Sequence, residues 1–444
     1  MRGLAAWVLI ASLATATAAT SSAQGIFFPG AGPINTSMAG ASTAAPVDVG
    51  ASYWNPATIS GLDRSEFMIG SGLVIPSIHL STFLPADSLS STLPSSPLSG
   101  QARSNSGATA APYAAVAFRL HDDDAMTYGI GLFSFYGGGV NFPSGAATSL
   151  LGPGNLPKAQ GFGSIYSSLY GLLFAPTASY RFSDRLSLAF GPTVAETALS
   201  LDPFFFSSGV KDANGAVSFP MGSAGKTNWG GGFQVGMLYE INESWNVGFS
   251  YKSPIWQERF NYNATFPNGA PRRVGIEASI PEIFSWGVAY KGLPKTLIDV
   301  DLRYFDYANA DLFGRSVTAN GAGWRSILAV AVGAQYEATD RLTLRCGYLY
   351  NQNPIPAAHA YSNFQLPAIV TNTLTVGGTY KITDDVSFSA SYLHGFRNAI
   401  SGPIAGIRGS SVGLDAQTDT LYLGFNFQFG GKRRKDPAGE AAPA

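Results

Sequence analysis

The chain has 444 residues and a formal net charge of −1, with 12% charged residues, 13% aromatic residues and 52 glycines. So balanced a charge gives no basic face for nucleic acid, and a charged share about half the globular norm leaves little surface made for bulk water. The single cysteine, Cys346, excludes an internal disulfide framework and a paired-cysteine metal site.

In chain order, Arg2 followed by the apolar run Leu4 to Ala14 and the small residues Ser21-Ser22-Ala23 has the make-up of an export signal, too short to span a bilayer. The expected signal is 1–23, with a cut after Ala18 as the alternative. Residues 24–63 are rich in Gly, Ala, Ser and Pro and end in Trp54-Asn55-Pro56-Ala57. They have no strand or helix period, but Ile26, Phe27, Phe28, Ile34, Met38, Tyr53 and Trp54 make them apolar. This suits a plug inside a barrel; a periplasmic extension is the alternative.

From 64 to 429 the chain alternates apolar and polar residues in about fourteen segments: 64–82, 111–120, 125–137, 168–182, 185–201, 227–241, 244–263, 272–291, 296–307, 324–337, 341–350, 372–382, 385–396 and 417–429. The last is the clearest. Leu421, Leu423, Phe425, Phe427 and Phe429 fall on one face, and Tyr422, Gly424, Asn426 and Gln428 on the other. Such strands cross a bilayer only when the sheet closes on itself and no edge is left unpaired. Short links such as Ser183-Asp184, Asn242-Glu243, Thr339-Asp340 and Thr383-Asp384 alternate with long ones at 83–110, 138–167, 202–226 and 351–371. The expected fold is an all-β, antiparallel, up-and-down transmembrane barrel with short turns and both termini in the periplasm of a two-membrane bacterium. Residues 430–444, with the basic run Lys432 to Lys435, form a tail.

The same parity assigns the faces. Trp245, Val247, Phe249 and Tyr251 point to lipid and Lys252 inward; Ile298, Val300, Leu302 and Tyr304 point out, and Asp299, Asp301, Arg303 and Phe305 in. Arg345 joins the lumen and Cys346 faces lipid. This mixed-charge lumen reads as a salt-bridge network, with a binding site as the alternative. Strict alternation would aim Glu282 at lipid together with Val274, Ile276, Ala278, Ile280 and Phe284. Pro281 therefore marks an expected bulge that turns Glu282 into the lumen, bonded to the plug or to a basic residue. Gly137, Gly138 and Gly139 in the third strand mark either a break in the wall or an ordinary strand end. Leu150, Leu151, Leu156 and Phe162 in one loop and Phe204, Phe205 and Phe206 in the next are expected to form an exposed apolar capture patch; packing against one another to close the mouth is the alternative.

Several segments resemble the FadL/TodX type of outer-membrane transporters for long-chain fatty acids and other hydrophobic compounds. Asn55-Pro56-Ala57 matches the hatch motif. Phe135-Tyr136-Gly137, Thr227-Asn228-Trp229-Gly230, Ile280-Pro281-Glu282, Leu344-Arg345-Cys346-Gly347, Asn353-Pro354-Ile355-Pro356-Ala357 and Ser391-Tyr392-Leu393-His394-Gly395 follow in the family's order. The resemblance implies a fourteen-stranded barrel plugged by an N-terminal hatch. It also implies passive transport, with capture on outer loops and lateral release through a gap at a kink in the third strand.

One departure concerns the carboxylate of a fatty acid. Glu196 and Thr197 stand where a basic residue is expected, so Arg345, Lys252 or Arg303 substitutes or the ligand is neutral. The remaining expectations are a monomer that meets outer-membrane lipid and the barrel-assembly machinery, with no cofactor, no metal and no nucleic acid. His79, His121, His359 and His394 lie in no catalytic motif, so an enzyme is not expected. The alternative function is a general porin or structural barrel, which would lack a plug.

Overall fold

The computed structural model describes residues 24–432 except 90, 92–93, 146–147, 149, 152–160, 212–216, 222–224 and 267–268. The expected signal, Leu156 and the tail beyond Lys432 therefore lie outside the described residues. Among those described, no helix is long and apolar enough to cross a membrane. The wall is instead built from fourteen strands. They are β1 (Ser65–Leu84), β2 (Thr109–Phe118), β3 (Met126–Phe142), β4 (Ile165–Arg181), β5 (Leu186–Asp202), β6 (Lys226–Asn242), β7 (Trp245–Lys252), β8 (Ile283–Leu293), β9 (Thr296–Phe305), β10 (Ile327–Glu337), β11 (Leu342–Asn351), β12 (Asn372–Lys381), β13 (Val386–Gly402) and β14 (Ser411–Phe429). Each pairs antiparallel with its sequence neighbours, and β14 closes on β1 from Ser65–Phe429 to Phe83–Ser411. Closure gives every wall strand a partner on each side along at least part of its length.

Side-chain parity follows the solvent on each side. Trp286, Val288, Val300, Leu302, Leu421, Leu423 and Phe425 are exposed on the outer face, while Asn246, Ser250, Ser285, Asp299, Asp301 and Arg303 are buried inside. Trp245 and Tyr290, Tyr180 and Phe182, and Phe118 and Tyr128 meet in pairs close to the short turns, as amphipathic rings do at a membrane interface. The two ends of the barrel wall lie on this side. Arg64 pairs with Asp385 at 2.6 Å, and the Gly431 amide donates to Asp122 at 2.9 Å.

Two stretches differ from the expected strands. The segments 244–263 and 272–291 stop pairing with each other at Lys252–Ile283, although Trp256–Gln257 still pair with β6. Between them Phe260–Thr265 and Pro271–Ile276 pair as a separate hairpin, so Val274, Ile276, Ala278 and Ile280 are buried rather than lipid-facing. The backbone around Pro281 is irregular as expected, but Glu282 does not turn inward. It keeps the parity of Phe284 and accepts a bond from the outward-facing Tyr251 hydroxyl at 2.9 Å. The reason is that no wall strand runs through 277–282. The register restarts at Ile283, paired with Lys252, and the carboxylate is met by a rim hydroxyl instead of a bulge.

Residues 24–62 fill the lumen. They form a short helix at Gly32–Ser37 and 3-10 turns at Val49–Tyr53 and Pro56–Gly61. Asp48 caps the first turn through the Ala51 amide and Asn55 the second through the Ala57 amide at 3.0 Å, each satisfying a backbone donor that the turn leaves open. Inward glycines let this segment approach the wall. A side chain at Gly248 would strike the Thr43 carbonyl, and one at Gly347 the Met38 main chain.

Candidate functional site

The hatch is fastened by a small number of buried groups. Asn55 has the extended backbone expected of a residue before proline. Its amide nitrogen donates to the Thr43 carbonyl at 2.7 Å and to the Met237 carbonyl of β6 at 2.9 Å. One side chain thus joins two parts of the hatch to each other and to the wall. Opposite, Asp301 of β9 accepts from the Ser42 and Thr43 amides at 3.0 and 3.2 Å. Arg303 pairs with Asp301 at 2.6 Å, donates to the Gly40 carbonyl, and lies 3.8 Å from the centre of the Trp54 ring. Arg345 donates to Gln335 and Thr379, both at 2.7 Å. On the β1 side Glu66 accepts from the Val49 amide at 3.1 Å and from Asn426 at 2.7 Å. Burial, reinforced by Glu66, raises the Asp48 carboxyl to about 8.

The pairing of β2 with β3 stops part-way along the wall. Their ladder runs from Phe118–Tyr128 to Tyr113–Phe133 and goes no further. Beyond it β3 shifts register between Ser134 and Tyr136 against β4. The shift puts neighbouring Phe135 and Tyr136 both into the interior, each about 2% exposed or less. The N-terminal segment takes the place of β2 here: the Phe28 amide donates to the Phe135 carbonyl at 2.9 Å, and Phe27 bridges to Tyr136. At the upper end the Asn105 amide reaches the Asn141 carbonyl at 2.7 Å, and at the lower end Ser134 reaches the Pro112 carbonyl at 2.9 Å. Gly137, Gly138 and Gly139 lie between these ties, and a side chain at Gly138 would meet nothing within 4 Å.

Behind this break in the ladder lies a cavity of about 180 Å³. It is bounded by the hatch start (Gly25 to Pro29), by Tyr136 to Gly139, by inward residues of β1, β13 and β14, and by Gln365 to Val370. None of its lining residues carries a charge. Its roof is the loop after β11, folded into the barrel. Gln365 donates from its amide nitrogen to the Pro203 and Tyr166 carbonyls at 2.8 and 3.1 Å, and its own backbone carbonyl accepts from Ser167 at 2.5 Å. Phe27 also lines a second, smaller cavity of about 30 Å³ with Tyr53, Trp54 and Lys252. There the Lys252 ammonium donates to Gln234 at 2.8 Å and stands 5.5 Å from the Tyr53 ring centre.

Of the residues singled out from the sequence, Asn55, Pro56 and Ala57 sit in the hatch, Gly137 to Gly139 lie beyond the end of the β2–β3 ladder, and Lys252, Arg303 and Arg345 sit in the lumen. Glu282 does not join them. The loop residues do not form the exposed patch expected of them: Leu150, Leu151, Phe204 and Phe206 are buried, and Phe162 and Phe205 are partly buried. Phe205 packs against Phe219, Phe364 and Tyr361 at 5.0, 4.8 and 5.4 Å, and Phe162 packs against Phe364 at 5.3 Å. Removal from water drives these rings together across three loops. Sequence reasoning missed the roof and the part played by Phe27 and Phe28 at the wall. The roof had one signal: Leu366, Ile369 and Val370 are too apolar for a solvated loop.

Comparison with known proteins gives a consistent set of likenesses. A family model described as outer membrane protein transport protein (OMPP1/FadL/TodX) matches residues 8–429. A long-chain fatty acid transport protein of Escherichia coli O6:H1 is 22% identical over 419 residues, 86% of this chain and 88% of that one. A solved Pseudomonas aeruginosa FadL homologue superposes with a TM-score of 0.69 at 15% identity, over 91% of this chain and 100% of the other. The solved Pseudomonas putida toluene transporter TodX does so with a TM-score of 0.68 at 17% identity, over 92% and 100%. At these identities the solved structures share the fold.

Proposed function

The chain belongs to the OMPP1/FadL/TodX family of outer-membrane proteins that transport hydrophobic compounds, and from that premise we propose that it passes small uncharged hydrophobic molecules to the membrane interior through the opening between β2 and β3. The observation that carries this reading is the uncharged cavity that joins the hatch start to Gly137–Gly139. A buried carboxylate there would lack a cation, which makes it costly, whereas a hydrocarbon loses only its cage of water. The volume favours a compact ligand, since a cavity of roughly 150 Å³ accommodates benzene. Release to the side returns the molecule to hydrocarbon without a crossing of water. Nothing in this route consumes energy, so transport runs down the gradient.

The test uses Thr109, which lines the cavity and lies beside Gly137 at the opening. In proteoliposomes, Thr109→Trp should assemble into a heat-modifiable barrel and take up toluene several-fold more slowly than the parent protein. Uptake at the parent rate removes the lateral route.

A second reading, fatty-acid transport, is favoured by Lys252. Arg303 and Arg345 are each held by acceptors in the lumen, while the described partners of the Lys252 ammonium are a neutral amide and a ring face. In that reading Lys252→Met lowers oleate uptake and leaves toluene uptake unchanged.

A further inference from the structure

We infer that the outer face of β1, β13 and β14, on the long-loop side, is a docking site for an anionic glycolipid of the outer leaflet, and that Arg103 and Arg397 take its headgroup phosphates. The site lies on the outside of the wall and does not depend on the transport reading.

Its depth follows from strand geometry. Leu421, Leu423, Phe425, Phe427 and Phe429 face lipid, and the steps from 421 to 429, each ~3.3 Å in a strand tilted by ~40°, cover about 20 Å of an apolar band roughly 25 Å tall. The next outward residue, Asp419, therefore sits at the edge of the hydrocarbon. There it accepts from the Tyr392 hydroxyl and meets His394 Nδ1 at 2.7 Å. About 10 Å further from the membrane centre, at headgroup level, a second polar row crosses the wall. Arg103 of the strand Leu98–Arg103 stands opposite His79 of β1, and His79 stands opposite Asp415 of β14. Arg397 of β13 completes the row, its Nε 2.5 Å from Asp415.

The backbone is bent to place that guanidinium outside. β13 shifts register against β14 between Gly395 and Asn398. Phe396 and Arg397, neighbours in sequence, therefore both face outward, while Asn398 returns to the interior. A regular strand would aim Arg397 into the lumen. Stability does not account for the bulge, because the Arg397 side chain is 62% exposed and an ion pair so wet contributes little. Asp415, 15% exposed, instead holds Arg397 by Nε and leaves the fork of the two Nη groups for a second anion. Arg103 is exposed as well, and two arginines against one carboxylate leave the row with a positive surplus. Arg103 and the Arg397–Asp415 pair stand two strand spacings apart, about 10 Å, which suits a headgroup that carries more than one phosphate.

The test titrates the full-length protein in detergent with bisphosphorylated lipid A, monophosphorylated lipid A or phosphatidylethanolamine, and reads bound lipid by native mass spectrometry. The wild-type protein should hold the bisphosphorylated lipid about tenfold more tightly than phosphatidylethanolamine, the worth of one charge-assisted hydrogen bond, with the monophosphorylated form between them. Arg103→Gln with Arg397→Gln should remove that preference and leave a heat-modifiable barrel. Arg341→Gln with Lys381→Gln, which are also exposed but lie on the short-turn side, should keep it. A wild-type protein without the preference, an Arg103/Arg397 variant that retains it, or a short-turn variant that loses it equally overturns the inference. Displacement of the lipid by millimolar inorganic phosphate also overturns it, since that result marks a site for a free ion. Should the double variant fail to assemble, Arg397→Gln alone decides.

Discussion

At the scale of single residues, the hatch is held by charges placed where they cannot reach water. Asp301 and Arg303 are each 1% exposed or less, and each also serves the hatch main chain. Removal of one partner strands the other, at a cost on the order of 3–5 kcal/mol, whereas replacement of both by apolar groups costs far less. Asp301→Ala is therefore expected to unseat the hatch and produce frequent opening steps in planar-bilayer recordings, and Asp301→Leu with Arg303→Met should restore much of the quiet baseline. Asp48 makes a pH-dependent contribution of the opposite kind. Seated beside Glu66, with the Ala51 amide, Asn426 and Arg345 around it, its carboxyl titrates near 8 instead of 3.8, so the seated hatch favours the protonated form. Seating is strongest below the free value, weakens as pH rises between the two values, and is weakest above 8. Opening events should increase from pH 5 to pH 9 in the parent protein. In Asp48→Asn the rise should be clearly smaller, and an equal rise in that variant rejects the role of Asp48.

At the scale of elements, the hatch and β3 depend on each other. The upper half of β3 leaves β2 because a bulge puts Phe135 and Tyr136 on the same side, and residues 27–28 accept the freed pairing positions. Truncation of the hatch to remove 24–30 should leave β3 without this partner, and the protection of its amides above Ser134 against hydrogen exchange should fall while that of Tyr128–Phe133 stays high. Close approach of the hatch to the wall needs glycine at Gly347. Gly347→Leu should assemble as a barrel yet conduct ions like a protein without its hatch; a closed, silent channel would mean that the hatch can be seated another way.

At the scale of the whole molecule, a closed wall with a filled lumen separates a transporter from a porin. Liposome swelling with arabinose should stay near background for the parent protein and rise markedly once 24–60 are deleted; rapid swelling in the parent would favour the porin reading. The wall itself was legible in the sequence because hydrocarbon acts on each strand locally. Every outward residue meets lipid, so a period of two appears in Leu421 to Phe429 and in Trp245 to Tyr251 without regard to the rest of the chain. The inward placement of Lys252, Arg303 and Arg345 followed from the same period, and the proline-bound extension of Asn55 from local sterics. Contacts between distant segments left no such mark. Phe27 meets Tyr136 across 109 positions, and Gln365 meets Tyr166 across 199. Glu282 found a rim hydroxyl because the wall strand starts one residue later, and the loop aromatics turned inward because three loops together could exclude water where one could not. The sequence alone determined which faces meet lipid and lumen, since that is a property of each strand and its solvent. The tertiary structure decided where the β2–β3 ladder breaks and where the cavity lies, since those depend on which remote side chains exclude water together.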